Sequence, residues 1–401
     1  MHHLDLELYN HQITFTCDLL KSKYGHLILD KIDNRLANIP RHSGLKIFKN
    51  GIQTANTANE YRNLMKIMIF VLDDLTEDND LNKILMKVYE DWNNMYLISR
   101  YEEFSEKDLE NFEKLIRSWA KQFVDVFQEF SLSRLKFPKL HSWVYHTTDL
   151  IKKYGPLNGF STKTYESLHK DFVKLPYYLT NKKDIEIQIL KMVQRQDIVT
   201  NLSAKSNQNA KIIYPFKFNN LIWKFNLNNA QEFINEKLKN NNLNSKLHFG
   251  LNNLLEYLDI YFALIEQNNL NNSIVKIYSS VTIQNGLKIH ATNSYYGKAC
   301  YSNIAVAMNF EELSEYLSDH GICYGQVCLL AKIELEAKIF NLALIQWYDF
   351  KSKKTPFYYG CPRLQLTEIY NIIDIEAIKD NVHIIPRFDK DNDYLVNKYI
   401  F

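Results

Sequence analysis

A carboxylate, an imidazole and an ammonium group stand at helical spacing near the middle of the chain. Glu166 precedes His169 by three residues and Lys170 by four in YESLHKDFVK, so on a helix all three side chains project to roughly one face. A carboxylate beside a cation, within a basic stretch, is how a metal-binding Glu is placed near a phosphodiester. The alternative is an ordinary Glu–Lys pair one turn apart. Spacing alone leaves both interpretations open.

The surrounding residues from Arg134 to Lys183, called the basic segment below, hold ten Lys/Arg and three Asp/Glu, a local net charge of +7. Tyr145 and other aromatic residues lie among these cations, which is typical of a surface that follows phosphates and stacks bases. The candidate phosphate contacts are Arg134, Lys136, Lys139, Lys152, Lys153, Lys170, Lys174, Lys182 and Lys183. We therefore expect DNA as a partner.

A second charged stretch offers another interpretation of the same cations. Residues 73–113 hold thirteen Asp/Glu and four Lys/Arg, a local net charge of −9, although the whole chain carries only +2. The basic segment could be a solvated surface that pairs with this acidic stretch. Charge patterning alone does not separate pairing from phosphate binding.

The sequence gives little evidence for a zinc site, a catalytic nucleophile, a nucleotide-binding loop or a membrane helix. His320, Cys323 and Cys328 lack the paired fourth ligand of a closed zinc site, and the chain has no nucleophile-elbow, Walker or dinucleotide glycine pattern. No apolar run reaches the roughly 18–20 residues of a membrane helix. The five scattered cysteines favour a reducing compartment. We expect an intracellular protein with no membrane partner and no small-molecule cofactor.

Apolar periodicity predicts helices in the first half of the chain. Thr57 with Glu60 and Ser105 with Asp108 have capping-box spacing, and the residues that follow each pair repeat at three and four. A further amphipathic stretch covers residues 184–199. The sequence therefore predicts a helical region over 1–205.

The pattern changes after an Asn-rich tract. KIYSSVTIQ, GQVCLLAKIELE, KIFNLALIQWYDF, PRLQLTEIY and VHIIPRF are short runs rich in β-branched and aromatic residues, with one helix expected at 311–320. We predict an α+β chain with three parts: helices over 1–205, a partly helical connector over 206–272, and a curled antiparallel sheet or small barrel over 273–401.

The basic segment resembles the C-terminal half of fungal Plavaka-type transposases, relatives of the CACTA (En/Spm-like) DDE transposases. FPKLHSWVYH, IKKYGPLNGF and YESLHKDFVK followed by NKK carry the likeness. DKIDNRLANIPRHSGLKIF and YRNLMKIMIFVLDDL resemble the family's helical insertion. The resemblance implies the remnant of an RNase H-like core, nuclear localisation and transposable-element origin.

In that family three carboxylates hold two Mg²⁺ ions for strand transfer, and the resemblance puts Glu166 at the third carboxylate, with His169 beside it. The second carboxylate belongs to an Asp-x-Met-His motif, and the chain begins at Met1-His2. A lone Glu166 cannot assemble a two-metal site, so we expect an N-terminally truncated protein without strand transfer. The alternative is a mis-started fragment of an active Mg²⁺-dependent transposase. Asp5 follows the His, and we do not assign the role to it.

YGQVCLLAKIELE, NLALIQWYDF and EIYNIIDIEAI resemble the strand series of bromo-adjacent-homology (BAH) and other SH3-like barrels. By this likeness an aromatic groove for a chromatin peptide or methyl-lysine would form through cation–π contact. Its candidate residues are Trp347, Tyr348, Tyr358 and Tyr359. The alternatives are barrel core with surface tyrosines, and a protein-interaction module that acts through this domain alone.

Overall fold

A computed structural model describes most of the chain. The described ranges are 3–46, 48–160, 168–207, 216–239, 243–267, 273–283, 286–295, 298–307, 321–335, 338–352 and 354–400. Helices dominate the N-terminal region, and a curled antiparallel sheet dominates the C-terminal region. The expected mixture of helix and sheet is confirmed at this level. The helix expected at 311–320 lies outside the described residues.

Twelve α-helices lie within these ranges, and the predicted capping boxes at Thr57 and Ser105 are both formed. Two π-helical segments, His3–Leu8 and Lys170–Lys174, precede α1 and α8. The helices are α1 Tyr9–Tyr24, α2 Leu27–Asn38, α3 Ala58–Leu72, α4 Asn79–Ile98, α5 Glu106–Phe127, α6 Pro138–Tyr154, α7 Leu157–Phe160, α8 Leu175–Leu179, α9 Ile185–Asn207, α10 Ala230–Leu238, α11 Ser245–Asn252 and α12 Leu254–Leu264.

The chain forms two compact units, each built from discontinuous segments. Unit 1 takes residues 1–29, 56–65 and 83–213, and unit 2 takes residues 30–55, 66–82 and 214–401. Two N-terminal segments, 30–55 and 66–82, therefore group with the second unit, whereas the sequence pattern placed them in a helical region over 1–205.

The core of unit 1 is aromatic. Trp92 of α4 lies edge-on to Trp119 of α5 at 4.9 Å between ring centroids and 5.2 Å from Tyr9 of α1. Trp119 also stacks on Phe123 at 5.0 Å. Large rings bury more apolar area per residue than aliphatic side chains, so this cluster holds α1, α4 and α5 together.

Unit 2 is built on twelve described strands. They are β1 Lys217–Asn226, β2 Ile274–Thr282, β3 Lys288–Tyr295, β4 Lys298–Tyr301, β5 Asn303–Ala307, β6 Ile322–Leu335, β7 Lys338–Phe350, β8 Phe357–Tyr358, β9 Cys361–Asp374, β10 Ile378–Val382, β11 Ile384–Pro386 and β12 Tyr394–Val396. The strand runs predicted from residue 276 onward lie in β2, β6, β7, β9, β10 and β11.

The long strands β6, β7 and β9 pair antiparallel along most of their lengths at the centre of the sheet. The other edge of β6 is shared, because β2 pairs with its C-terminal half and β5 with its N-terminal half. β1 pairs with the free edge of β2, and β3 pairs with the C-terminal end of β2. β10 pairs with β5. Sharing one edge between two strands makes the sheet curl.

The segment expected to be a connector belongs to the core of unit 2. β1 lies within it and joins the sheet, and Leu247, Leu251, Leu254 and Leu258 of α11 and α12 are buried against sheet residues. These leucines recur at three and four residues, which predicts a buried helix face. The abundance of Asn around them had masked that pattern. Within the described ranges, no helix combines the length and the apolar character needed to cross a bilayer.

Candidate nucleic-acid interface

Local sequence fixes the two helices of unit 1 that carry the candidate interface. α5 begins at a reciprocal capping box, in which the Asp108 amide donates to Ser105 Oγ at 3.2 Å and the Ser105 amide donates to Asp108 Oδ2 at 3.0 Å. α6 begins with Pro138, where the missing N–H is not needed, and ends at Gly155 with φ +84°. Both helices therefore have well-defined ends.

The buried faces of α5 and α6 leave their remaining faces free for a partner. In α6, Leu140, Trp143, Thr147 and Ile151 are buried at helical spacing. Trp143 lies edge-on to Phe112 of α5 at 6.0 Å between centroids. His141, Tyr145 and Lys152 are all exposed and share another face of α6, because they are separated by four and seven residues.

A groove of about 730 Å³ lies between these helices, and we call it the α5–α6 groove. Its apolar lining comes from both helices and from the segment that joins them. The lining residues are Arg117, Ala120, Lys121, Val124, Asp125, Leu135, Lys136, Phe137, Pro138, Leu140, His141, Val144 and Tyr145. The groove therefore combines an apolar interior with cationic and aromatic side chains.

Aromatic rings stand at two places in the α5–α6 groove. Phe137 stacks on His11 at 4.8 Å, and His11 stacks on Phe15 at 5.5 Å, so three rings form a column that ends in the lining. Burial lowers the pKa of His11, which favours its neutral form within the column. Tyr145 lies 4.8 Å from His141 and 5.9 Å from the guanidinium of Arg117.

Most of the candidate phosphate contacts form no ion pair with another described residue. Of the nine candidate phosphate contacts, Lys139 forms an ion pair, with Glu7, while the other eight form none with another described residue. Lys153 contacts the ring of Tyr154 at 5.1 Å. Arg117, beside the segment, pairs with Glu113 of its own helix at 2.7 Å. Pairing with the acidic stretch therefore does not neutralise these eight cations.

The candidate catalytic pair is described only in part. Glu166 lies outside the described residues, and His169 is exposed just before a π-helical turn that carries Lys170 and Lys174. Among the residues that the structure describes, no group of three or more His, Cys, Asp or Glu side chains is arranged to hold a metal ion. Lys182 and Lys183 are exposed between α8 and α9.

The four aromatic residues expected to form one groove in unit 2 divide between different environments. Trp347 and Tyr348 are adjacent in β7, where its pairing with β9 is irregular, and they pack against two different apolar clusters. The indole of Trp347 donates to Asn371 Oδ1 at 2.8 Å, and the hydroxyl of Tyr348 donates to Asn303 Oδ1 at 3.1 Å inside a separate apolar cluster. A cation does lie against the ring of Tyr358, but it is an arginine of this protein and not the methyl-lysine of a peptide.

Arg387 supplies that cation and is a residue that sequence reasoning missed. Its guanidinium lies 4.2 Å from the centroid of the Tyr358 ring and donates to Asp73 at 2.7 and 3.2 Å and to Asp393 at 3.2 Å. Burial alone lowers the pKa of Arg387, but the bonds to Asp73 and the charges around it raise the pKa well above its usual value. Arg363 also donates to Asp393, to the same Oδ2 atom at 2.5 Å and to Oδ1 at 2.9 Å.

Tyr359 closes this buried ion network. Its hydroxyl donates to Asp73 Oδ1 at 3.0 Å, and burial followed by the charge of Asp73 raises its pKa far above the usual value. Tyr359 and Gly360, with φ +53° and +64°, form the two-residue turn between β8 and β9, as expected for a type I′ hairpin. The ring of Tyr358 and the hydroxyl of Tyr359 are therefore both engaged by charged residues of unit 2.

In unit 1, the buried carboxylate of Asp5 forms a comparable ion pair with Arg62. Asp5 is fully buried, accepts from Arg62 Nε at 2.8 Å and accepts from the Tyr96 hydroxyl at 3.1 Å. Burial, followed by the charge of Asp5, raises the pKa of Tyr96 far above its usual value. Asp5 therefore forms an internal ion pair with Arg62.

Buried His383 is a second residue without a sequence signal. Its ring lies 2.9 Å from the carbonyl of Pro40 through Nε2, and Nδ1 accepts from Asn397 Nδ2 at 3.1 Å. Burial, followed by the neighbouring ring of His42 at 5.2 Å, lowers the pKa of His383 to about 3. The ring therefore stays neutral at physiological pH.

Comparison of the chain with protein-family models, with curated proteins and with solved structures finds no match.

Proposed function

We propose that this protein binds DNA through the exposed cations of the basic segment. The observation that carries the proposal is the absence of ion pairs at eight of the nine candidate contacts within the described part of the chain. Unpaired cations on a surface raise the local positive potential, because no neighbouring carboxylate cancels their field. A polyanion is the partner that such a surface attracts most strongly.

The shape of α6 also supports DNA rather than a small anion. Lys152 continues the exposed helix face of His141 and Tyr145 past the α5–α6 groove, over about two turns. Lys152 and the adjacent exposed Lys153 lie side by side near the end of α6 instead of converging on one point, and such separated cations suit successive phosphates of a backbone. We expect affinity with little sequence preference, because phosphate contacts position a protein without reading bases.

The resemblance to Plavaka-type transposases agrees with this proposal and extends it. A transposase-derived protein would act on DNA in the nucleus, which fits a DNA-binding surface in the basic segment. The proposal concerns binding alone, and it assigns neither Mg²⁺ nor strand transfer to Glu166 and His169. The likeness of unit 2 to an SH3-like or BAH barrel stays a prediction. We do not propose a methyl-lysine groove at Tyr358, since Arg387 already occupies its ring.

The experiment compares duplex affinity of the full chain with that of two variants by fluorescence anisotropy at low salt. The first variant is Lys152→Gln with Lys153→Gln, which removes two exposed charges from α6. The second is Lys107→Gln, an exposed residue of α5 outside the basic segment. We expect the double variant to bind several-fold more weakly and the Lys107→Gln variant to bind like the wild type.

Circular dichroism checks that both variants keep the wild-type helix content. Equal affinity of the wild type and the double variant would contradict the assignment to α6. Absence of binding to both duplex and single-stranded DNA by the wild type at low salt would remove the function itself.

A further inference from the structure

We propose that the α5–α6 groove receives an unstacked base, so that the protein prefers single-stranded DNA to duplex. This inference rests on the DNA-binding function proposed above and names the part of DNA that the groove accepts. It adds a pocket for a base to a surface for phosphates. The groove, its rings and its flanking cations all lie within unit 1.

The groove has the size of a ligand site. Its volume of about 730 Å³ falls within the roughly 300–1,000 Å³ typical of pockets that enclose small molecules. Ala120, Val124 and Val144 give it walls without charge. Such walls suit the flat, weakly polar faces of a base better than they suit a phosphate.

Two aromatic positions suit stacking. The column of Phe15, His11 and Phe137 ends at the groove, so a base placed against Phe137 would continue an existing stack. The ring of Tyr145 is 55% exposed and gives a second stacking surface on α6. Base–aromatic stacking tolerates any sequence, because every base has a π face.

The charges around the groove match a nucleotide. Lys121 and Lys136 form no ion pair with another described residue, and both line the groove. They can therefore hold phosphates on either side of an inserted base. Asp125 is the acidic residue among the described lining residues. A carboxylate repels phosphate, but it accepts a hydrogen bond from the N–H groups on the edge of a base.

An acidic peptide helix is the other occupant that a cationic apolar groove could take. The aromatic column favours the base, because a helix would cover Phe137 with aliphatic side chains and leave its stacking face unused. Asp125 also opposes a peptide rich in carboxylates. The two occupants give different results in the experiment below.

The test uses fluorescence anisotropy with three probes of equal length: a duplex, a single-stranded oligothymidylate and an abasic strand with the same phosphates. We expect the wild type to bind oligothymidylate roughly tenfold more tightly than the abasic strand, the scale of one base–aromatic stack. Tyr145→Ala should remove this difference, while Tyr145→Phe should keep it. The matched control is Tyr154→Ala, on the same helix and 56% exposed but outside the groove.

The outcomes distinguish a base pocket in the α5–α6 groove from phosphate binding by the basic segment alone. Equal binding of oligothymidylate and the abasic strand by the wild type would overturn the base pocket, while duplex binding would leave the proposed function intact. Equal losses in Tyr145→Ala and Tyr154→Ala would also overturn it, because the effect would not be specific to the groove. Displacement of oligothymidylate by polyglutamate at matched charge would assign the groove to acidic peptides instead. Failure of all three probes to bind would remove both proposals.

Discussion

Arg387 shows how a single buried charge can organise unit 2. Its side chain and those of Asp73 and Asp393 are no more than 5% exposed, so each charge depends on the others for stabilisation. Taking one partner away leaves an uncompensated buried charge, which costs far more than an exposed pair contributes. The network therefore predicts a large and specific effect on stability.

We expect Arg387→Met to lower the free energy of unfolding by about 3–5 kcal/mol, because Asp73 loses its guanidinium partner. The matched control is Lys390→Met, which removes a largely exposed ion pair with Asp74 and should cost less than about 1 kcal/mol. Urea unfolding followed by tryptophan fluorescence measures both variants. Similar losses in the two variants would contradict the structural role given to Arg387.

His383 predicts a pH dependence of stability. Its folded pKa of about 3 lies below the roughly 6.5 of an unfolded histidine, so the unfolded state binds the proton first. Stability from this residue is complete above pH 6.5 and is lost as the pH falls towards 3.

Between pH 7 and pH 5 the free energy of unfolding should therefore fall by about 2 kcal/mol more in the wild type than in His383→Gln, where no imidazole titrates at this position. Urea unfolding at the two pH values measures this difference. Parallel losses in the two proteins would show that His383 is not protonated on unfolding.

Neither Arg387 nor His383 could be found from the sequence. Arg387 contacts Asp73 across 314 residues, and no local pattern links positions so far apart. Trp347 and Tyr348 lie at an irregularity in the pairing of β7 with β9, so strand alternation alone does not assign their faces from the sequence.

At the scale of elements, sequence patterns predicted the starts of two helices and the main strand runs of unit 2. The capping boxes at Thr57 and Ser105 place the starts of α3 and α5, since a side-chain oxygen and a backbone amide three residues on are local features. The strands β6 and β7 follow their β-branched and aromatic runs closely. β1 was missed, because its Asn residues resemble those of a flexible linker while its partner β2 lies far along the chain.

A substitution at Gly51 tests the backbone geometry at the start of the short 3₁₀ turn Ile52–Thr54 in unit 2. Its φ of +86° and ψ of 175° belong to a region that is essentially restricted to glycine, and a Cβ there would overlap the Asp33 carboxylate. Asp33 also accepts from the Ile52 amide at 2.9 Å, so it is held in place. We expect Gly51→Ala to destabilise the protein by about 1–3 kcal/mol or more.

The control for this prediction is Gly44→Ala. Gly44 also has a positive φ, +77°, but a Cβ there would meet nothing within 4 Å. Gly44→Ala should therefore lower the free energy of unfolding only by the backbone strain, about 1–2 kcal/mol. Thermal unfolding of both variants gives the comparison, and a larger loss in Gly44→Ala would contradict the structure around Gly51.

At the scale of the whole molecule, the division into units is what the sequence predicted least. Residues 30–55 and 66–82 belong to unit 2, although their apolar periodicity indicated only helices in an N-terminal region. Periodicity reports which face of a helix is buried, and it does not report which other segment buries it. The basic segment was easier to predict, because charge density can be counted directly from residue types.

The most direct test of the account is the dependence of duplex affinity on salt. Binding through phosphates makes the logarithm of the affinity fall linearly with the logarithm of salt concentration, and each contact contributes about 0.9 to the slope. We expect the wild type to show such a line, Lys152→Gln with Lys153→Gln to flatten it by about two, and Lys107→Gln to leave it unchanged. A slope that is the same in the double variant and the wild type would contradict the proposal that α6 contacts the DNA backbone.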